Sequence, residues 1–449
     1  MTQEEKKLSE QAIEFFKKKD YDKSKSLYEE ILKTNPKISF IYGNLGVIFK
    51  IKGDINRAIK CYIEAIKLDP KNIPIYNNLA NAFKEIKNYK MALQVYADIL
   101  KINPNDFNTF NNIGIIFELI GDNNKAIEAY KQAVRINPNH AKSINNIGVV
   151  LYKQKRYKES AQIFEIALQV DENYFEVYSN KGAAYNKAKE YDKAIESLEM
   201  AILKMPNHGG AYTNLGNVYN KLFDYKTAAK MHEKSIELEP NGSNAYSNLG
   251  TSYKYLGLSN KAISSYKKAI ELDPNFVNAH FDLATMYLAM EDFENGWKEY
   301  EWRFKKEEMI PHIIRHKDIF SKPLFTGVED IKGKVLLLHS EQGYGDSIQF
   351  IRFLPQIKEK FGCKIAVKCR EGLKELFQTM SEIDVIADRS EATPQFDYQL
   401  SIMSMPFVLG MKSINDLPKR IPYLKSTPYK ELEIKKEKGK INIGICWSA

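Results

Sequence analysis

Cysteine is scarce in this sequence, and long hydrophobic runs are absent. The 449 residues include four cysteines, Cys61, Cys363, Cys369 and Cys446, with no framework spacing and no paired histidine ligands. This excludes a disulfide-stapled secreted domain, and we interpret the thiols as core residues in a reducing compartment. No stretch approaches the roughly 18 consecutive apolar residues of a membrane span, and the N-terminus lacks the apolar core of a signal peptide. We therefore expect a cytoplasmic protein without a membrane span.

A concentrated positive charge is also missing. The formal net charge of +9 is shared between the first two-thirds of the chain and the remainder, with no basic arm. Charge spread in this way indicates a lysine-rich solvated surface and argues against a nucleic-acid partner. The chain is too long for one ordinary core, so we expect several domains or a repeat array.

Proline, small residues and aromatic residues all recur with a period of 34 residues. Glycines such as Gly46 and Gly114 fall where two helices can approach closely, and large residues such as Tyr62 and Tyr130 fall where they can fill the remaining space. This is the pattern of the tetratricopeptide repeat, a helix-turn-helix unit that stacks on its neighbours. It predicts nine helix pairs within residues 1–308. The prolines are Pro36, Pro70, Pro104, Pro138, Pro206, Pro240 and Pro274, and Glu172 fills the missing place.

The last predicted pair ends without a closing proline and contains two nearby tryptophans, Trp297 and Trp302. They could form a functional stack, or a hydrophobic cap that joins the repeats to the next domain. We favour the cap, because terminal repeats of such arrays are usually atypical.

Asparagine occupies one register position in the first helix of successive repeats. First helices line the concave face of such arrays, where side-chain amides can donate to and accept from the backbone of an extended peptide. Asparagine here can instead serve the fit between neighbouring helices, and the sequence leaves both interpretations open. The adjacent register is polar but uncharged, which argues against a strongly charged ligand in the groove. The candidate partner-binding residues are Asn44, Asn78, Asn112, Asn146, Asn180, Asn214 and Asn248, with Asp282 in the eighth place.

The period is lost after residue 308. His312 and His316 are spaced i, i+4 and would share a helix face, as a metal-binding pair does. Because no third ligand lies near them and Pro311 interrupts the segment, we interpret them as linker histidines and expect no metal site. The predicted linker covers residues 309–331.

Strands and helices alternate from residue 332 to about 428. The pattern predicts βαβ units on a parallel sheet, that is, a Rossmann-like α/β domain. Predicted strands are Lys334–His339, Cys363–Cys369, Ile383–Ala387 and Phe396–Ile402, and predicted helices are Ile348–Phe361, Glu371–Met380 and Met405–Gly410.

The turn after the first strand is rich in glycine. Gly343 and Gly345 can take positive φ and let another group approach the backbone closely, while Asp346 or Ser347 lies where a helix N-cap belongs. A site of this kind favours an anionic or hydroxyl-rich ligand at the carboxyl edge of the sheet.

The segment Val335–Phe350, with Phe396–Asp397 and Met403–Pro406, resembles bacterial tetratricopeptide proteins that carry a C-terminal glycosyltransferase domain similar to the heptosyltransferase group. The repeats are similar to those of O-linked N-acetylglucosamine transferases, whose asparagine ladder holds the acceptor polypeptide. The resemblance implies the GT-B architecture, in which two Rossmann domains face each other, the acceptor on the first and the nucleotide sugar mostly on the second.

In that group a carboxylate after the first strand is proposed to deprotonate the acceptor hydroxyl, and Asp346 is the matching residue here. Gln342, Gly343, Gly345 and Ser347 would form the acceptor-site loop. An alternative is that Asp346 only caps the following helix. The resemblance implies no cofactor, because a nucleotide sugar would be a co-substrate.

Residues 429–449 are predicted to be a linker followed by the first strand, from Ile441, of the donor-side domain. Nearly all of that domain is expected to be missing, which predicts a chain that is inactive alone. The competing interpretation is a non-catalytic scaffold for protein–protein interaction, with a protein or peptide in the groove of the repeats.

Overall fold

The structure is a computed structural model, and it describes residues 1–341, 343–419, 423 and 424. Within it the chain divides into one unit that spans Met1–Pro240 and a second that begins at Asn241. The predicted boundaries at residues 308, 331 and 428 stay predictions, and residues 429–449 lie outside the described part of the chain.

The first unit consists of seven helix pairs. Each second helix ends just before one of the periodic prolines or its substitute, Glu172, as expected because proline cannot continue a helix. The helices are α1 Gln3–Lys17, α2 Tyr21–Thr34, α3 Ser39–Ile51, α4 Ile55–Leu68, α5 Ile73–Glu85, α6 Tyr89–Ile102, α7 Phe107–Ile120, α8 Asn123–Ile136, α9 Ala141–Lys153, α10 Tyr157–Val170, α11 Phe175–Lys187, α12 Tyr191–Lys204, α13 Gly209–Lys221 and α14 Tyr225–Leu238.

Small and large residues interlock within each pair, as the sequence period predicts. A Cβ atom added to Gly46 would lie 2.4 Å from the ring of Tyr62, and one added to Gly114 would lie 2.4 Å from the ring of Tyr130. Both tyrosines are almost completely buried. Glycine is therefore required there for the close approach of the two helices, because any larger side chain would displace the ring.

The turn inside each pair has a fixed construction. A residue with positive φ precedes the cap of the second helix, such as Gly53 with φ 80° and Gly121 with φ 87°. Asp54 and Asp122 follow them, and each carboxylate accepts a hydrogen bond of 3.1 Å from a backbone N–H three residues on. These N-caps satisfy helix N–H groups that have no partner inside the helix.

The second unit begins with two further pairs, so the described residues contain nine helix pairs. The last second helix is short, and 3₁₀ turns over Glu301–Lys305 and Glu307–Met309 follow it. The predicted linker contains two short helices of its own. The helices are α15 Ser243–Tyr255, α16 Ser259–Leu272, α17 Val277–Ala289, α18 Phe293–Tyr300, α19 Ile310–Arg315 and α20 Lys317–Phe320.

A four-stranded parallel sheet follows, with strand order β3-β2-β1-β4. Each predicted strand is present to within about two residues, and the sheet is parallel as predicted. The strands are β1 Val335–His339, β2 Lys364–Cys369, β3 Val385–Asp388 and β4 Tyr398–Ser401, and the helices are α21 Tyr344–Phe350, α22 Leu354–Phe361, α23 Lys374–Phe377 and α24 Met405–Leu409.

The helices of this domain differ from the prediction. The helix predicted over Ile348–Phe361 begins earlier, at Tyr344, and is divided by a 3₁₀ turn, because Pro355 lies in the first turn of α22 and cannot occupy a helix interior. The helix predicted over Glu371–Met380 is reduced to one turn, since Gly372 has φ 81° and stands outside it.

The core of the α/β domain extends onto the last repeat. Trp297 of α18 packs against it, and its ring lies 5.7 Å from that of Phe350 at a nearly perpendicular angle. Trp302 instead lies flat on His280, with ring centroids 3.7 Å apart. The cap interpretation is therefore confirmed for Trp297.

The cysteines of the described chain are free thiols. Burial raises the pKa of Cys61, Cys363 and Cys369 to about 11, so they remain protonated and unreactive near neutral pH. Cys446 lies outside the described residues. Across the described ranges, no helix combines the length and apolar character needed to cross a bilayer.

Candidate functional site: the asparagine column and the sheet-edge loop

The periodic asparagines occupy equivalent places on the first helices of the repeats, and each is half-buried. We call the six of these residues that lie in the first unit the asparagine column. Asn44, Asn78, Asn112, Asn146, Asn180 and Asn214 lie on α3, α5, α7, α9, α11 and α13, and Asn248 lies on α15 of the second unit.

In the middle of the first unit the column is hydrogen-bonded from repeat to repeat. Asn146 Nδ2 donates to Asn111 Oδ1 at 3.1 Å, and Asn180 Nδ2 donates to Asn145 Oδ1 at 3.1 Å. Asn214 Nδ2 donates to Ser179 Oγ at 3.2 Å. These bonds join successive first helices. At these three places, asparagine therefore contributes to the fit between neighbouring helices, which is one of the two interpretations that the sequence left open.

One such bond does not use all the hydrogen-bonding groups of an asparagine side chain. Each amide has two N–H groups and an acceptor oxygen, so capacity for another partner remains. At the start of the array, Asn44 Nδ2 on α3 donates at 3.0 Å to the hydroxyl of Tyr28 on α2, the second helix of the preceding pair. In the eighth place burial raises the pKa of Asp282, against the opposite effect of Lys254 and Lys306. Binding of a peptide by the column stays a prediction.

A pocket of about 160 Å³ lies beside Asn180. It is formed by α9, α10 and α11, and apart from the Asn180 amide and one tyrosine hydroxyl its wall is apolar. Its lining residues are Val149, Tyr152, Phe164, Asn180 and Ala183.

The loop after β1, residues 340–347, is called the sheet-edge loop. Gly343 has φ −65° and is the N-cap of α21, and Gly345 lies inside the first turn of that helix. Neither glycine uses the positive φ that glycine allows, and the prediction of an N-cap at Asp346 or Ser347 is wrong. Because the helix begins at Tyr344, four residues before the apolar run at Ile348, the cap moves back to Gly343.

Asp346 takes the third helical position and turns back toward the cap. Its Oδ2 atom accepts the backbone N–H of Gly343 at 3.1 Å. This is the carboxylate half of a capping box, which is favourable at a helix N-terminus. The capping alternative for Asp346 thus has a contact in the structure, and the catalytic role stays a prediction.

The other residues predicted to form the acceptor-site loop lie in different environments. Ser347 is buried, and its hydroxyl donates within the loop to Ser340 Oγ at 3.0 Å and to the Gly343 carbonyl at 3.1 Å. Gly345 faces open space, since an added Cβ atom would meet no atom within 4 Å. Gln342 lies outside the described residues.

A buried ion pair next to this loop was not found from the sequence. Arg303, 2% exposed, donates to both carboxylate oxygens of Glu341, from Nε at 3.0 Å and from Nη2 at 2.5 Å. Nη1 donates to Glu301 at 2.6 Å, and Nη2 also donates to Ser404 Oγ at 2.7 Å. Burial opposes the charge of Arg303, but the two carboxylates outweigh it and raise the pKa of the guanidinium. The network fastens the end of the repeats to the sheet-edge loop.

His312 and His316 do share a face, and their ring centroids lie 4.7 Å apart. Burial and then the neighbouring His316 lower the pKa of His312 to about 4. No group of three or more potential metal-ligating side chains occurs in the part of the chain that is described.

Family models agree with the repeat architecture. Models described as TPR repeat match residues 46–87 and 116–155, and models described as tetratricopeptide repeat match residues 73–106, 175–203, 209–241, 243–276 and 265–299. A curated relative, Protein FlbA of Caulobacter vibrioides, is 28% identical over 36% of this chain, and the match spans 30% of the relative's length.

Solved structures that match parts of this chain include one described as a tetratricopeptide repeat protein, MamA, and YrrB. One from Parabacteroides merdae is 19% identical, with a TM-score of 0.45, and covers 56% of this chain and 99% of its own. MamA is 27% identical, with a TM-score of 0.33, over 38% of this chain and 92% of its own. YrrB, described as a TPR protein with an unusual peptide-binding site, is 21% identical, with a TM-score of 0.34, over 41% of this chain and 95% of its own.

Proposed function

We propose that the tetratricopeptide repeats, which make up the N-terminal two-thirds of this chain, bind an extended segment of a partner protein along their first helices. The observation that carries the proposal is the asparagine column. Cross-repeat hydrogen bonds hold the amides of Asn146, Asn180 and Asn214 in equivalent places, while each amide keeps hydrogen-bonding capacity. An extended peptide backbone presents donors and acceptors at regular intervals too, so the two can match independently of the peptide's sequence.

The size of the pocket beside Asn180 indicates a further property of the proposed partner. Sites for drug-sized ligands occupy about 300–1,000 Å³, whereas this pocket measures about 160 Å³. That volume suits one apolar side chain of a peptide whose backbone contacts the asparagine column. The proposed partner is therefore an uncharged or weakly charged extended segment with an apolar residue at this point.

Filling the pocket tests this proposal. Peptides selected from a phage-displayed random library on the full chain are resynthesised with a fluorescent label, and their affinity is measured by fluorescence anisotropy. Ala183→Leu occupies the pocket, and burying one apolar side chain contributes about 1.5–3 kcal/mol, so binding should weaken about tenfold or more. Ala97→Leu is the matched control, because Ala97 is exposed on the second helix α6. Equal affinities of the Ala183→Leu variant and the unmodified protein would refute the pocket's role.

Replacing the asparagines themselves is a weaker test. Changing Asn146, Asn180 and Asn214 together to Ala should also reduce peptide affinity, but it removes the donors to the preceding repeats. The unfolding midpoint of the triple variant must therefore be measured beside its affinity. Unchanged affinity in a folded triple variant would eliminate the column as the binding element.

We also propose a second function, in which the α/β domain is the acceptor-side half of a GT-B glycosyltransferase. The observation that favours it is the parallel order β3-β2-β1-β4, with the glycine-containing loop directly after β1. Ligands of open parallel sheets bind at this carboxyl edge. Asp346 is the proposed base, and the donor-side segment proposed to begin at Ile441 lies outside the described residues. The competing proposal is a non-catalytic scaffold.

Asp346→Asn separates these proposals. The amide oxygen of asparagine can still accept the Gly343 N–H bond, but it is not basic, so sugar transfer should fall by about 10²-fold or more while the unfolding midpoint stays unchanged. Transfer is measured on the complete protein with a panel of nucleotide sugars. Asp384→Asn is the control, because Asp384 accepts the Ile365 N–H at 2.7 Å at the opposite edge of the sheet. Undiminished transfer would leave Asp346 as a cap, and no transfer with any sugar would favour the scaffold.

A further inference from the structure

Positively charged side chains gather at the carboxyl edge of the sheet. Lys368 lies in β2, Arg370 follows β2 directly, Arg389 follows β3 directly, and Arg315 ends α19. We call these four residues the basic cluster. None of them was singled out by a sequence motif, and the parallel topology brings the ends of β2 and β3 to one edge.

Two of these arginines contact the sheet-edge loop. Arg389 Nη2 donates to the carbonyl oxygen of Ser340 at 3.2 Å, immediately after β1. The guanidinium of Arg370 lies 5.3 Å from the ring centroid of Tyr344. The cluster is therefore beside the loop where the open side of Gly345 leaves space.

The cluster lacks counter-charges. Within residues 1–341 and 343–419, Arg315, Arg370 and Arg389 form no ion pair with a carboxylate, and Arg370 Nε is buried without a hydrogen-bond partner. Lys368, 6% exposed, donates to the backbone carbonyl of Glu391. Elsewhere in the described chain carboxylates pair with Arg57, Arg135, Arg156 and Arg303, whereas Arg352 donates to the Pro418 carbonyl.

Nearby carboxylates do not fill this role, because they are engaged elsewhere. Asp388 accepts from the backbone and hydroxyl of Ser390, and Glu391 pairs with Lys374. Glu371 is exposed to solvent, and among the described residues it forms no hydrogen bond or ion pair with the cluster. Partly buried cations that lack a counter-charge are unfavourable for folding.

The neighbouring positive charges oppose the charge of Arg389. Burial, followed by the charges of Arg370 and Arg315, lowers the pKa of Arg389 below its usual value. Like charges held together at such a cost to stability are a frequent property of binding sites.

We propose that the basic cluster binds an anionic group of the phosphate class at the carboxyl edge of the sheet. Guanidinium groups match phosphate oxygens with paired hydrogen bonds. A carboxylate, with two oxygens, can be satisfied by one arginine, whereas the half-buried Arg370 and Arg389, with the exposed Arg315 acting on Arg389, suit a group with three or more oxygens. The proposal rests neither on peptide binding by the repeats nor on sugar transfer by Asp346.

Calorimetric titration of the full chain with inorganic pyrophosphate, at constant ionic strength, tests this site. A saturable binding event is expected, and Arg370→Gln and Arg389→Gln should each weaken it about tenfold or more, as removal of a charged hydrogen bond does. Arg135→Gln is the matched control, because it removes the same charge from the exposed surface of α8. No saturable binding, or equal weakening by Arg135→Gln, would overturn the proposal. Equally tight binding of malonate would overturn the phosphate class.

Stability without the anion provides a second, independent readout. If the cluster exists to bind a ligand, Arg370→Gln relieves repulsion and should preserve or raise the urea midpoint of the ligand-free protein. If Arg370 instead stabilised the fold, Arg370→Gln would lower the urea midpoint of the ligand-free protein. A lowered midpoint would therefore count against the proposal. Pyrophosphate should raise the midpoint of the unmodified protein more than that of the Arg370→Gln variant, because the variant binds it more weakly.

Discussion

One buried histidine departs from the aromatic period of the repeats. His232 stands where other second helices carry Tyr, Phe or Leu, and it is completely buried. A Cβ atom added to Gly216 would lie 2.6 Å from its ring, so it fills the same space as the tyrosines do. Its Nε2 atom lies 3.3 Å from Asn220 Nδ2, and its Nδ1 atom has no hydrogen-bond partner among the described residues. Burial lowers the pKa of His232 to about 4.

Because His232 is buried in its neutral form, we expect the stability of this repeat to decrease in acid. Above the ordinary histidine pKa both folded and unfolded states are neutral at His232, so it adds no pH dependence. As the pH falls from about 6.5 to about 4, the unfolded state binds a proton at His232 that the folded state does not bind. The free energy of unfolding therefore falls by about 3 kcal/mol in total across this pH range. His232→Phe should remove this loss, measured as the urea midpoint of the helical circular dichroism across that pH window.

The reciprocal variant is the control for this prediction. Phe164 occupies the equivalent position in an earlier repeat and packs under Gly148. Phe164→His should introduce a similar acid sensitivity. If His232→Phe left the pH dependence unchanged, the acid sensitivity of the protein would arise elsewhere, for example at the buried His339.

At the scale of elements, the Arg303–Glu341 pair fastens the end of the repeats to the sheet-edge loop. Removing one member of a buried pair leaves the other charge buried without a partner, which costs about 3–5 kcal/mol. Arg303→Met should therefore lower the free energy of unfolding by this amount, followed by tryptophan fluorescence. Combining it with Glu341→Leu should recover part of the loss, because the second change removes the unpaired carboxylate.

An exposed ion pair between neighbouring elements provides the comparison. Lys412 and Glu294 lie 2.9 Å apart with 65% and 64% of their side chains exposed. Exposed pairs contribute about 0–1 kcal/mol, so Lys412→Met should change stability little. A loss from Arg303→Met no larger than that from Lys412→Met would show that the buried network does not hold these elements together.

For the whole molecule, the sequence was informative wherever the determinant was local or periodic. The 34-residue period predicted nine helix pairs and the contact of Gly46 with Tyr62, and alternating apolar runs predicted four parallel strands. The start of α21 was missed because Tyr344 and Gly345 carry no apolar signal, and the helix there is defined by the Asp346 bond to Gly343.

Contacts made by the fold were not predictable from the sequence. Arg303 and Glu341 are separated by 38 residues, and no motif marks either as half of a pair. The basic cluster is assembled by the sheet topology from the ends of β2, β3 and α19, so its residues looked like scattered surface charges. The asparagine column was visible in the sequence, but its cross-repeat bonds required the spacing between first helices.

Those cross-repeat bonds link residues 35 positions apart, one more than the repeat length, and so connect the same two register positions in successive units. An in-frame duplication of a complete 34-residue unit would present the same donor and acceptor at the new junction. Insertion of a partial unit would separate them. Addition or removal of complete repeat units can therefore lengthen or shorten the row of first helices. Each new junction then contains the same donor and acceptor as the existing ones.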